Sequence, residues 1–340
     1  MATCKQPVRR SLGRNGPQIP RLGLGLMGAS SHYCVPGSDA ERLAFLDEAY
    51  KRGETFWDSA QIYGDSEELL GKWFAANPEK RKDIFLATKF GVKITGTGFT
   101  VDTTSENCRA SIEQSLKRLG LEYVDIYYPH RLDKVTPIEK TVEAMVELKK
   151  AGKVKYLGLC ECSAESLRRA HTVHPISCVQ IEYNPFCLQI ESPETRLLET
   201  ARELGVAIVS YSPLGHGLLA GTVRDRGDFI RPGDMRVKLP LFSEENLQKN
   251  LTIVDRIAAI ARAKSLTPAQ LTLAWILAQG DDIFAIPGTT KIHRLEENLE
   301  SLSVFLSEEE ERAIRELGQG MLGTQFQAAT GYSFADTPTL

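Results

Sequence analysis

A closed barrel of eight parallel strands, each followed by a helix, is the fold class this sequence predicts. Short runs rich in Val, Ile, Leu, Phe and Tyr alternate with marked helix starts along most of the 340 residues. The runs are apolar throughout, as suits strands covered on both faces. No Ser/Gly-rich linker divides the chain, so the alternation reads as one (β/α)8 domain over residues 1–318.

The elements follow in order. Val8 to Leu26 reads as a hairpin turned at Asn15-Gly16 that leads into the first strand, Leu22–Leu26, and plugs the bottom of the barrel. The other seven strands are expected at Thr55–Trp57, Ile84–Thr88, Val124–Tyr128, Tyr156–Leu159, Cys178–Ile181, Val206–Ser210 and Ile283–Ile286. Helix starts are marked at Ser38, Asp65, Thr136, Thr267 and Ser307, each with Glu or Gln three residues on. Pro137, Pro193 and Pro268 are expected at first helical positions, where no donor is needed. Pro213 to Asn250 forms a long connection after the seventh strand, of a length that is usually functional or disordered. Residues 319–340 lack helical periodicity and hold Phe326, Tyr332 and Phe334. They form either a loosely ordered tail or a flap over the barrel mouth.

Composition removes several function classes. Lys and Arg number 41 against 44 Asp and Glu, net −3, and the basic residues are scattered, which excludes a nucleic-acid footprint. The charge-free apolar stretch Ser265 to Gly280 is shorter than the ~20 residues that span a bilayer. Seven cysteines without a CxxC, and one His171/His174 pair without further ligands, read as reduced thiols and a surface pair. The expectation is a cytoplasmic, metal-free protein with small-molecule partners. Its oligomeric state is not legible.

Gly23-Leu24-Gly25-Leu26-Met27-Gly28 matches G-x-G-x-x-G. A dinucleotide fingerprint needs a helix at once and an acid about 20 residues on. Here no helix is expected before Ser38 and the acid is missing. The glycines read as a close turn at a strand end.

Chemistry in such a barrel sits where strands end. Asp58 follows the second run, with Tyr63 in the next turn; Lys89 follows the third and His130 the fourth. An acid, a phenol, an amine and an imidazole therefore meet at one rim. Lys89 is expected to lower the Tyr63 pKa and Asp58 to hold Lys89 charged, while His130 orients a carbonyl oxygen. No side chain delivers a hydride, so a nicotinamide cofactor is required.

These residues resemble the aldo-keto reductase family. The resemblance rests on Phe56–Gly64, Ala87–Gly91, Tyr127–Arg131, Tyr211–Gly215 and Ile286–Lys291, and covers nearly the whole chain. It implies a catalytic set of Asp58, Tyr63, Lys89 and His130. It places Gln180 at the nicotinamide carboxamide, Tyr211 against the nicotinamide ring, and Ser212, Leu214, Gly217 and Leu218 over the pyrophosphate. Gly288, Thr289, Lys291 and Arg294 match the pocket of an adenosine 2′-phosphate, with Glu297 and Asn298 near the adenine and Met27 also at the cofactor. NADP(H) is therefore the expected cofactor, since two cations at a helix start suit a dianion. Cys160 stands where the family has a serine that donates to the carboxamide, which implies a slightly looser hold.

Tyr33, Trp57, Ile62, Phe90 and Arg131 are the expected substrate walls, with Met27, and aromatic and small aliphatic aldehydes suit them. The segment lengths resemble the branch with aryl-alcohol dehydrogenases and pyridoxal reductases. The implied activity is NADPH-dependent reduction of aldehydes and ketones, reversible, with Tyr63 as general acid. Potassium-channel β subunits share the resemblance, so a non-catalytic NADP(H)-binding partner module is the alternative. Few residues precede Arg9 to reach such a partner.

Overall fold

A strand covered on both faces points successive side chains alternately into the barrel and out toward the helices. That parity organises the chain, whose computed structural model describes residues 7–30, 33, 35–96, 98–323 and 331–340. The barrel strands are β1 (Leu24–Gly25), β2 (Phe56–Asp58), β3 (Phe85–Phe90), β4 (Val124–Pro129), β5 (Val154–Cys160), β6 (Cys178–Glu182), β7 (Ala207–Tyr211) and β8 (Ile283–Ala285). Each pairs in parallel with the next. Parallel bridges Leu22–Ala285 and Gly25–Gly288 close β1 onto β8. The glycine at 25 has a steric reason: a Cβ there would lie 2.8 Å from the Ile286 carbonyl oxygen across this seam.

Two apolar clusters follow from the parity. Inward residues such as Phe56, Phe85, Ile126, Tyr128, Val209 and Phe284 fill the barrel, and outward ones such as Trp57, Leu86, Tyr127, Val179 and Ile208 pack beneath the helices. The hairpin strands Arg9–Ser11 and Gln18–Pro20 pair antiparallel, and Leu12 and Ile19 join the inner cluster to seal its lower end.

The caps at Ser38, Thr267 and Ser307 form complete capping boxes, with Pro268 at the expected first position. Three other expectations are corrected. Asp65 makes no cap because its carboxylate is held by Arg42, at 2.7 Å on each oxygen. Thr136 instead bonds Asp133, and the helix Ile138–Lys150 starts one residue later, behind Pro137. Pro193 sits in a turn ahead of the helix Leu197–Leu204.

A single helical turn, Met27–Ser30, also precedes Ser38, against expectation; at four residues it is one turn of helix only. The long connection is shorter than expected, because the helix Glu244–Ala263 already includes Asn250. Among the described residues, no helix is long and apolar enough to cross a membrane.

Phe326 lies outside the described residues. Further along, Ala335 forms a parallel bridge with Cys162, and the Ala335 N–H donates to the Glu161 carbonyl at 2.8 Å. The Asp336 carboxylate accepts from Ser163 and Ser166 at 3.1 and 2.7 Å, at the start of the helix Ala164–Val173. Thr337 Oγ1 accepts the Ile138 N–H at 3.2 Å, supplying the cap that Thr136 does not. Residues 331–340 are thus bonded to the starts of two neighbouring helices, and Tyr332 packs on Phe99 with ring centroids 5.4 Å apart.

Glu54, just ahead of β2, is buried, and its Oε1 has no hydrogen-bond partner among the described residues. Burial raises its carboxyl well above the usual range, partly offset by the Phe56 N–H. A raised folded-state pKa stabilises fully only below the unfolded pKa, and that contribution is lost as pH rises toward the folded value. Glu54→Gln is therefore expected to raise Tm by about 2 °C or more at pH 8, with the gain vanishing at pH 4.5. Thermal melts of both proteins across that range check the sign.

Candidate active site

Parity selects the floor of the site. Asp58 is the last residue of β2 and Lys89 lies opposite Tyr128 in the β3–β4 register, both on inward positions, and His130 follows β4. The turn after β2 carries Tyr63, whose N–H bonds the Ala60 carbonyl at 3.0 Å. Lys89 is fully buried and ion-paired to Asp58, and it also donates to the Ser59 carbonyl at 2.8 Å. Gln180 donates to the second Asp58 oxygen at 2.7 Å. The Lys89 Nζ lies 5.0 Å from the centre of the Tyr63 ring, and the Tyr63 and His130 rings meet edge to face at 5.6 Å.

Burial alone would strip the charge from Lys89, but Asp58 overrides it and holds the ammonium above its ordinary pKa. Burial raises the Asp58 carboxyl, with Lys89 and Gln180 pulling it back. For Tyr63 the expected lowering is corrected: burial prevails and raises the phenol, while Lys89 pulls the other way. The resting phenol therefore keeps its proton at neutral pH.

Above this floor lies a cleft of about 1040 Å3. Asp58, Tyr63 and His130 line it, and Lys89 sits beneath. Of the residues expected to hold a cofactor, Met27, Gln180, Tyr211, Ser212, Leu214 and Gly217 line one stretch. Gly288, Thr289, Lys291, Arg294, Glu297 and Asn298 line another. The Cys160 and Leu218 side chains are buried, Cys160 in the inner cluster and Leu218 in the outer one, and neither is part of the cleft lining. Of the expected substrate walls, Tyr33, Ile62 and Arg131 do line it. Trp57 and Phe90 do not, because each is a chain neighbour of an inward residue and so points outward. Trp57 packs on Trp73 at 4.6 Å and Phe90 stacks on Tyr127 at 4.8 Å.

The residues of the cleft fit a dinucleotide. Tyr211 is fixed as a wall because its hydroxyl donates to Glu161 at 2.7 Å. Beyond it, Ser212 and His216 adopt positive φ of 47° and 56°, and Asn184 holds the Ser212 carbonyl at 3.0 Å. The helix Ile292–Glu300 begins at Lys291 without a side-chain cap, leaving N–H groups free for an anion. Lys291 and Arg294 are exposed there and have no ion-pair partner among the described residues. No group of three potential metal ligands occurs among the described residues.

Sequence reasoning missed Glu161, Glu182 and His216. Glu182 follows Cys178 and Gln180 at alternate positions of β6, a signal that parity contains. His216 lies in the long connection, where no period applies; its Nδ1 is 2.9 Å from the Tyr33 hydroxyl.

A closed barrel with this floor defines a class of oxidoreductase, and comparison fixes the family. The model described as the Aldo/keto reductase family matches residues 21–319, and the chain belongs to that family. Aldo-keto reductase str7 of Strobilurus tenacellus is 52% identical, over 94% of this chain and 94% of its own length. A relative from Schizosaccharomyces pombe, aldo-keto reductase yakc, carries NADP(+) in its name and is 44% identical, over 95% of this chain and 96% of its own. Among solved structures, the thermostable aldo-keto reductase Tm1743, in complex with the inhibitor epalrestat, is 31% identical with a TM-score of 0.71. It covers 91% of this chain and 99% of its own. The glycerol dehydrogenase AKR11B4 from Gluconobacter oxydans, 24% identical over 98% of each chain with a TM-score of 0.79, shares the fold.

Removing one member of the Lys89–Asp58 pair strands the other charge inside the barrel, at about 3–5 kcal/mol. Lys89→Met is expected to lose stability of that order, and Lys89→Met with Asp58→Asn to recover part of it. Urea unfolding of the single and double variants measures the coupling.

Proposed function

We propose that this protein reduces aldehydes and ketones to alcohols with NADPH, reversibly, and that Tyr63 is the general acid. The observation that carries the reading is the buried Lys89–Asp58 pair set under Tyr63 and beside His130. Gln180 and Tyr211 would hold a nicotinamide, which when bound would supply the hydride. The chain's own residues do the rest. His130 donates to the carbonyl oxygen and orients it at the Tyr63 hydroxyl. Tyr63, protonated at rest, passes its proton to that oxygen as negative charge develops there. The phenolate left behind is stabilised by the Lys89 ammonium, which Asp58 keeps charged and Gln180 helps to orient through Asp58. Met27, Ile62 and Phe99 give the substrate end apolar walls that suit aromatic and small aliphatic aldehydes.

Tyr63→Phe is expected to lower kcat at least about 100-fold, the scale of general acid catalysis, with little change in NADPH affinity. NADPH oxidation with 4-nitrobenzaldehyde, pyridoxal and methylglyoxal, beside fluorescence titration of NADPH, tests it; retained turnover rejects the mechanism.

The same reading assigns Lys291 and Arg294 to the 2′-phosphate. Replacing both with Ala is expected to weaken NADPH binding about 10- to 100-fold, as loss of charge-assisted bonds implies, while NADH binding barely moves. An equal loss for both cofactors would reject the assignment.

A further inference from the structure

Arg131 follows His130 directly and lines the cleft, yet it is only 9% exposed. Its one hydrogen bond to the described residues runs from Nη1 to the His130 carbonyl, 2.6 Å away. Its guanidinium carbon lies 5.8 Å from the Tyr211 ring. Among the described residues no carboxylate lies within ion-pair distance of it, unlike three other guanidiniums of this chain. Arg42 is paired with Asp39 and Asp65, Arg81 with Asp125, and Arg236 with Asp234.

Glu161 and Glu182 act on this guanidinium through space, and Glu161 helps keep it charged against burial, but neither carboxylate is in ion-pair contact with it. Glu161 Oε1 accepts the Tyr211 hydroxyl at 2.7 Å and the Glu182 N–H at 3.2 Å. Glu182 Oε1 lies 3.8 Å from His216 Nε2. Burial, followed by repulsion from Glu161, lifts the Glu182 carboxyl to about 8 against the pull of Arg131, so it is mostly neutral at pH 7, and burial drops His216 to about 4.

A desolvated guanidinium with no acid in direct contact is costly and uncommon. It becomes favourable once a planar anion enters, because the remaining N–H groups form a flat fork that matches a carboxylate. The anion end assigned to the cofactor, at Lys291 and Arg294, is a separate part of the cleft.

We propose that Arg131 is a specificity-determining residue and that the preferred substrates are aldehydes or ketones carrying a carboxylate near the carbonyl. This rests on the carbonyl-reductase reading above. The Arg131 guanidinium holds the carboxylate, and the carbonyl, a few bonds away, falls between Tyr63 and His130. The apolar side of the cleft, at Ile62, Ile94 and Phe99, covers the rest of the substrate.

The test compares three acids, glyoxylate, 4-oxobutanoate and 4-formylbenzoate, each with its methyl ester, under saturating NADPH. The ester keeps the carbonyl and removes the charge, and the three spacings find the reach of Arg131. At least one acid is expected to exceed its ester about 10-fold or more in kcat/KM, the worth of one charge-assisted pair, mainly through KM. Arg131→Gln is expected to collapse that acid-to-ester ratio to about one, and Arg131→Lys to restore part of it. A role in packing alone would move acid and ester together and leave the ratio unchanged.

If the Gln variant does not fold, the ratio in the native protein and in Arg131→Lys still decides. Esters that outrun their acids at all three spacings, or a ratio unaltered by Arg131→Gln, overturn the proposal. So does a Gln variant whose only defect is weaker NADPH binding. Turnover of neither acids nor esters by protein that binds NADPH overturns the reading beneath it, and this proposal with it.

Discussion

A full positive charge held inside the barrel sets the terms for the rest of this structure. Lys89 is fully buried, and a lone ammonium there would lose its proton. Asp58 from the neighbouring strand answers it, and Gln180, from across the barrel on β6, occupies the second carboxylate oxygen. Three strands are thereby tied at the floor of one cleft. The pair works only if β2 and β3 keep their register, since a slip of one residue would turn Asp58 toward the helices. The seam between β1 and β8, where Gly25 meets Ile286, and the hairpin residues Leu12 and Ile19 beneath keep that register within a closed, apolar interior.

The same low-dielectric floor explains the balance at Tyr63. Burial holds the proton on the phenol, and Lys89, 5.0 Å from the ring, favours its departure. The two influences oppose each other at this phenol. Around the floor the loops do different work. The segment after β7 is held by Asn184 at Ser212 and by Tyr33 at His216, so one wall of the cleft is built from strained backbone tied down by side chains. The last ten residues cap two helices and bring Tyr332 against Phe99, which joins the chain's end to one rim of the cleft.

Much of this was legible in the sequence. Local signals carried the strands, the hairpin turned near Asn15 and the capping boxes at Ser38, Thr267 and Ser307, because each depends on residues a few positions apart. The polar residues at the strand ends were legible for the same reason, as each interrupts an apolar run. The misplaced walls, Trp57 and Phe90, came from reading residue type without parity: each stands beside an inward residue and so faces the helices. Asp65 and Thr136 are good capping residues that found stronger partners in Arg42 and Asp133, and no local pattern announces such competition.

By itself the sequence determined the eightfold alternation, the strand ends that carry Asp58, Lys89 and His130, and the family to which the chain belongs. Those follow from short-range periodicity and from motifs whose members lie close together in the chain. Only the tertiary structure decided which neighbour each charge met. It gave Lys89 an acid, and it left Arg131 facing the cleft with no acid in direct contact among the described residues. It raised the Tyr63 phenol by burial, where Lys89 was expected to lower it. Burial and distance set these outcomes, and both arise from segments far apart in the chain that come together only when the barrel closes.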